Sequence, residues 1–180
     1  ACDATGGVPD QVIVAVPPAQ VLPLARDCAH LGVRALQIFS AGFGEGTGEA
    51  GARAQAELRA LVRAGGMRVL GPNSLGLFNT AAGYYGTFAT ALDGAWPQAG
   101  SVGVATQSGA FGSYFFGMAQ AQGLGFSHFV ATGNEADVDV ADCVDWLVHD
   151  SATRLIVMAM EGCREGRKLA RALQAARAAG

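Results

Sequence analysis

Ser101-Val102-Gly103-Val104-Ala105-Thr106-Gln107-Ser108-Gly109-Ala110-Phe111-Gly112 passes from an apolar run into a turn of small and polar residues. Residues 101–105 read as a buried strand, and Phe111 to about Gln122, rich in Phe, Met and Ala, reads as a helix. A strand that feeds a helix through such a turn leaves peptide N–H groups unpaired at the helix start. With the helix dipole behind them, these groups form an anion site. Gly109 and Gly112 let backbone approach a ligand, and Ser108 adds a hydroxyl. Two readings of Ser108 stay open here: a helix cap, or a phosphate ligand.

Before that turn the same alternation runs through the chain. Gln11–Val16 is a β-branched run, read as a strand covered on both faces and ended by Pro17-Pro18. A helix follows from Ala19 to about Leu31, where Pro23 is tolerable if it lies in the first turn, with Gly32 as the C′ glycine. Val33–Phe39 is a second strand, Glu49–Ala64 a helix, and Met67–Leu70 a third strand closed by Gly71-Pro72-Asn73-Ser74-Leu75-Gly76. This order predicts a parallel sheet with right-handed crossovers. Residues 77–100 break the rhythm, with Tyr84-Tyr85 suggesting extended pieces or a hairpin inside a connector. After the central turn, Phe126–Thr132 is a strand, Val138–His149 a helix, Arg154–Met160 a strand and Arg164–Ala178 a helix. The expected architecture is α/β: an incomplete Rossmann-like domain over 1–78, a connector over 79–100, and a flavodoxin-like parallel domain over 101–180. The first sheet has no GxGxxG and the second stops after a helix, so the chain reads as an internal piece of a longer protein.

Composition narrows the function classes. Half of the residues are apolar and the net charge is −3, which gives no reason to expect nucleic acid or an anionic membrane. No apolar run reaches the roughly 18–20 residues of a membrane span, and the first residues lack a signal-peptide pattern. Cys2, Cys28, Cys143 and Cys163 form no CxxC pair; they read as buried free thiols of a reducing cytoplasm, with no metal site.

In doubly wound sheets, ligands bind beyond the carboxyl ends of the strands. Those ends here are Val16-Pro17-Pro18, Phe39-Ser40-Ala41-Gly42, Gly71 to Ser74, Thr106 to Gly109, Thr132-Gly133-Asn134 and Glu161-Gly162. All are small, Gly-rich or polar, which favours a nucleotide-like ligand. Glu161 ends an apolar strand and reads either as a surface carboxylate or as one aimed into the crevice toward an imidazole. Asp137, Asp139, Asp142 and Asp145 read as helix-capping and solvating groups, and His30, His128 and His149 as packing or surface residues.

Four motifs now coincide: Gly71-Pro72-Asn73-Ser74-Leu75-Gly76, Thr106 to Gly112, Thr132-Gly133-Asn134-Glu135-Ala136-Asp137, and Met160-Glu161-Gly162. In this order and spacing they resemble the NDP-forming acyl-CoA synthetases: the ADP-forming acetyl-CoA synthetases and the α subunit of succinyl-CoA synthetase. The resemblance runs from about Pro9 to the end. It implies a CoA-binding Rossmann-like domain followed by a flavodoxin-like ligase domain. It also implies interconversion of acyl-CoA, phosphate and ADP with acid, CoA and ATP through acyl phosphate and phosphohistidine. By the same resemblance, Val16, Pro17, Phe39 and Ser40 line the CoA site, and Asn73 and Ser74 lie near the thiol end. Ser108, Gly109 and Ala110 hold the transferred phosphate, Gly133 and Asn134 border that pocket, and Glu161 orients the phosphorylated histidine. ADP/ATP and magnesium belong to an ATP-grasp domain or subunit outside this chain, in an oligomeric cytoplasmic enzyme.

The departures are specific. Ser74 stands where the family often has cysteine, and Ala41 where the α-type CoA site often has an acidic residue. The glycine-rich turn of the first strand is missing, and the phosphohistidine is expected beyond Gly180, so these residues alone are expected not to turn over. Two other classes compete: a non-catalytic CoA-binding regulatory module of a protein acyltransferase, and a plain interaction domain whose glycines serve tight turns.

Overall fold

In the computed structural model, residues 6–180 are described. They divide into two compact units: residues up to Ser74 with Asn134–Val138, and Leu75–Gly133 with Asp139–Gly180. Both are α/β structures; the first sheet is wholly parallel, as the sequence predicts, and the second is mixed, with three parallel strands and an antiparallel hairpin at one edge.

The first unit holds β1 (Gln11–Val14), α1 (Pro18–Leu31), β2 (Ala35–Ile38), α2 (Gly48–Gly65) and β3 (Arg68–Leu70). The strands pair in parallel in the order β1-β2-β3. Steps in one direction with right-handed crossovers put both helices on the same face. Val21, Ala25, Cys28, Leu58 and Val62 from the helices therefore pack with Val14, Leu36, Ile38 and Val69 in one core. The same geometry corrects the reading of β1 as covered on both faces, since Ile13 is 46% exposed. Pro23 also lies deeper in α1 than its first turn, because the helix starts at Pro18. Gly32 does take the left-handed C-cap, at φ 82°.

The second unit holds β4 (Gly76–Asn79), β5 (Tyr84–Thr87), β6 (Ala99–Thr106), α3 (Gly109–Ala121), β7 (Phe126–Ala131), α4 (Val140–Val148), β8 (Leu155–Ala159) and α5 (Gly166–Ala179). The sheet order is β5-β4-β7-β6-β8, with β7, β6 and β8 parallel and the β4–β5 hairpin antiparallel to β7. The expected connector over 79–100 thus contributes strand residues, because the tyrosine hairpin finds an open edge on β7.

The winding reverses at β6. The chain steps from β6 to β7 on one side, then returns past β6 to β8 on the other, so right-handed crossovers place α3 and α4 on opposite faces. Side chains along β6 follow that division with the period of two that a strand imposes. Val102 and Val104 pack with Phe116 of α3 and with Phe78, Phe126 and Phe129. Gly103 points the other way, where a Cβ would lie 2.9 Å from Leu147 of α4. Gly112 is close-packed as well: its Cβ would lie 2.5 Å from Thr106 Cγ2 and 3.0 Å from the Phe129 ring. This glycine therefore lets α3 approach the sheet, which corrects the expectation that Gly112 serves a ligand; at Gly109 a Cβ would lie 3.0 Å from Leu75 Cβ.

Candidate functional site

In the first unit the loops after β1, β2 and β3 are tied in sequence. The Ser40 hydroxyl donates to Val16 O at 2.6 Å, Asn73 N to Ser40 O at 2.9 Å, and Ser74 N to Ile38 O at 3.2 Å. Val16, Phe39 and Ser40 are half-buried, Pro17 and Asn73 exposed, and Ser74 fully buried. At Gly71, φ is 105° and a Cβ would lie 2.5 Å from Ile38 O, so glycine alone permits this turn. Asn73 follows in the left-handed region at φ 56°.

Residues 134–138 complete this edge. Asn134, Ala136 and Val138 N–H groups donate to Pro72 O, Gly71 O and Val69 O at 2.8, 2.8 and 3.1 Å. The Asn134 amide donates to Phe43 O at 2.7 Å and to Gln55 Oε1 at 3.2 Å, and its Oδ1 accepts from Asn73 at 3.3 Å. Asn134, expected beside the phosphate, is thus bound into the loops of the first unit. Gln55, 6% exposed, returns a bond from Nε2 to Asn134 O at 3.0 Å. Nothing local in the sequence singles out Gln55, because its partner is 79 residues away. Asp137, read as a helix cap, instead accepts from Val69 N and Arg68 Nε at 2.9 and 2.8 Å.

In the second unit, Ser108 is the N-cap of α3: its Oγ accepts from Phe111 N at 3.3 Å. Capping does not consume the turn. Gly109 and Ala110 lie in the first helical turn, where no helical carbonyl reaches their amides, and the Ser108 hydroxyl proton remains a donor. Below them Thr106, 0% exposed, donates from Oγ1 to Ser108 O at 3.0 Å. Thr132 ties the end of β7 to that of β6 through N–H and hydroxyl bonds to Thr106 O, at 2.7 and 3.2 Å. Gly133, at φ 61°, then opens the loop after β7.

Thr106 is in register with Ala131 of β7 and Ala159 of β8, so all three parallel strands end at one edge of the sheet. Between β6 and β8 the direction of winding changes, and the loops there part toward opposite faces. This is the point where open α/β sheets bind ligands. Ser108 and Glu161 are the residues just beyond the two strand ends. Glu161 is exposed, and its N–H is held at 2.6 Å by Gln107 Oε1.

Asp139, Asp142, Lys168 and His128 make contacts within the second unit. Asp139 caps α4 in a reciprocal box with Asp142, as expected, and Lys168 of α5 bridges both carboxylates at 2.9 and 2.6 Å. Burial pulls the Lys168 pKa down, but the bonds and charges of Asp142 and Asp139 outweigh it and raise the net value. His128 is buried in β7, with its Nδ1 3.4 Å from Asp150 and its ring edge-on to Trp146. Desolvation lowers its pKa and Asp150 offsets only part of that. Cys28 and Cys143 are buried free thiols, whereas Cys163 is exposed in the polar loop after β8, and Cys2 lies outside the described residues. Among the described residues no group of three or more His, Cys, Asp or Glu side chains could hold a metal ion. Among them no helix is long and apolar enough to cross a membrane.

Comparison with known proteins gives the same two parts. Residues 2–80 match a CoA binding domain and residues 99–179 a succinyl-CoA ligase-like flavodoxin domain. The chain is 36% identical over 162 residues to the α subunit of an ADP-forming acetate–CoA ligase (II) of Pyrococcus furiosus, covering 90% of this chain and 34% of that protein. It is 38% identical over 172 residues to a trans-feruloyl-CoA synthase from an unknown prokaryotic organism, covering 95% of this chain and 24% of that one. A solved dinucleotide forming acetyl-coenzyme A synthetase 1 of Ca. Korarchaeum cryptofilum, in complex with phosphate and ADP, superposes with a TM-score of 0.82 at 32% identity. That likeness covers 94% of this chain and 35% of that one. The chain therefore spans a quarter to a third of the length of these relatives.

Proposed function

We propose that this chain, whose two parts match a CoA binding domain and a succinyl-CoA ligase-like flavodoxin domain, is part of an NDP-forming acyl-CoA synthetase, an enzyme interconverting acyl-CoA, phosphate and ADP with acid, CoA and ATP. In the first unit Val16, Pro17, Phe39, Ser40, Asn73 and Ser74 take CoA. In the second, Ser108, Gly109 and Ala110, with Gly133 of the neighbouring loop, take the phosphoryl group. Asn134 is proposed beside Gly133 at the same pocket, and its side chain also holds the Asn73 loop. Phosphate attacks the thioester carbonyl, the C–S bond breaks, and CoA leaves as an acyl phosphate forms. An imidazole from a segment outside this chain then takes the phosphoryl group: a P–N bond forms, the P–O bond breaks and the carboxylate leaves. Glu161 accepts a hydrogen bond from the far ring nitrogen, which orients the ring and stabilises its developing positive charge. ADP and magnesium are held by an ATP-grasp domain or subunit, in a cytoplasmic, oligomeric enzyme.

The observation that carries the reading is the shared sheet edge, which sets the open first turn of α3 and Glu161 beyond adjacent strand ends. The test is phosphoenzyme formation in the full-length protein supplied with radioactive ATP. An acid-labile, base-stable phosphoprotein is expected, and Glu161→Gln should slow its formation about 100-fold. A wild-type protein that turns over with no such intermediate refutes the reading.

A further inference from the structure

We infer that Gln107 is a positioning residue that holds Glu161 in place across the crevice between β6 and β8; this rests on the role proposed for Glu161. The side chain of Gln107 makes three hydrogen bonds to one short stretch of backbone. Its Oε1 accepts from Glu161 N at 2.6 Å and from Gly162 N at 3.0 Å, and its Nε2 donates to Gly162 O at 2.7 Å. The Gln107 N–H also donates to Ala159 O at 3.0 Å, the last rung of the β6–β8 pairing. Beyond that rung the backbones part, since the chain after β6 turns into the cap of α3. The planar amide then supplies the donor and acceptors that a continuing strand would have offered. Glu161 is thereby held in register one step past the end of the sheet.

The chemistry selects glutamine. Glutamate at this position would set an acceptor against Gly162 O and a negative charge one residue from the proposed phosphate turn. Alanine would remove all three bonds. Asparagine is one methylene short of the reach. Glu161 itself is exposed and long, so a fixed backbone is what limits where its carboxylate can go. Gln107 joins the turn that starts α3 to the loop that carries Glu161, and a shift of about 1 Å in such a frame is enough to slow a reaction about 100-fold.

The experiment is rapid-quench phosphorylation of the full-length protein from ATP, comparing wild type with Gln107→Ala, Gln107→Glu, Glu161→Gln and the Gln107→Ala/Glu161→Gln double variant. Both Gln107 variants should form phosphoenzyme about tenfold or more slowly. The ATP concentration giving half-maximal rate should be unchanged. The double variant should be no slower than Glu161→Gln alone, because removing the positioned group makes its positioning irrelevant. Gln107→Glu has the same shape, so it carries the test if the alanine variant folds poorly. Wild-type rates in both Gln107 variants alongside a slow Glu161→Gln would overturn this inference and leave the Glu161 reading standing. Independent, multiplying defects in the double variant would also overturn it. A Glu161→Gln protein at wild-type rate would remove the role that Gln107 is meant to support.

Discussion

Gly112 and Gly117 lie five residues apart in α3, and alanine at the two positions should act with opposite signs. Both replacements gain the same helix propensity, about 1 kcal/mol for Gly→Ala. At Gly117 nothing lies within 4 Å of the new methyl, so the gain stands alone. At Gly112 the methyl would sit 2.5 Å from Thr106 Cγ2 and 3.0 Å from the Phe129 ring. Neither neighbour yields readily. Thr106 is 0% exposed and its rotamer is tied by the bond to Ser108 O, while Phe129 is locked among Phe78, Phe116 and Phe126. Overpacking costs about 1–3 kcal/mol, and this site belongs at the upper end, so the net loss is about 2 kcal/mol. The assay is urea unfolding of the 180-residue chain followed by tryptophan fluorescence. Both tryptophans, Trp96 and Trp146, lie in the second unit, so the signal reports that unit. A Gly112→Ala midpoint at or above wild type, or a Gly117→Ala midpoint below it, would refute the packing argument.

Two further substitutions test the opposite face of the same sheet. Lys168→Ala removes the cation shared by Asp139 and Asp142 and should cost about 1–2 kcal/mol, read from the same urea midpoint. The raised Lys168 pKa means that its contribution is present below pH 10.5 and fades only as the pH climbs through the folded-state value. His128→Gln should flatten the acid side of the stability curve. A histidine whose folded pKa lies below 6.5 carries no penalty above that value, and the penalty grows as the pH falls from 6.5 toward the folded pKa, because the unfolded chain binds the proton more readily. Wild type should therefore lose more stability than His128→Gln between about pH 7.5 and about pH 5.5, and equal losses would place the acid sensitivity elsewhere.

Much was readable from residues alone because it depends on local rules. Apolar runs of four to eight residues alternating with helical periodicity dictate a parallel α/β chain. The turn Thr106–Gly112 reads as a strand-to-helix junction, and Asp139 and Asp142 as helix-capping groups, because a cap and its target are three residues apart. The four ordered motifs pointed to the family for the same reason: each is a contiguous turn at a strand end.

What only the tertiary structure decided depends on contacts between distant segments. That β8 lies beside β6, so that Ser108 and Glu161 flank one reversal of winding, follows from the sheet order and from no periodicity. Gly112 serves packing because Thr106 and Phe129 occupy the space a side chain would need. Asn134 joins the Asn73 loop, and Gln107 reaches a loop 54 residues away, by side-chain bonds whose partners have no fixed spacing in the chain. A sequence encodes which groups can cap, turn or bury themselves locally. Which distant groups then meet is selected by the packing that buries the most apolar surface while leaving the fewest polar groups unpaired.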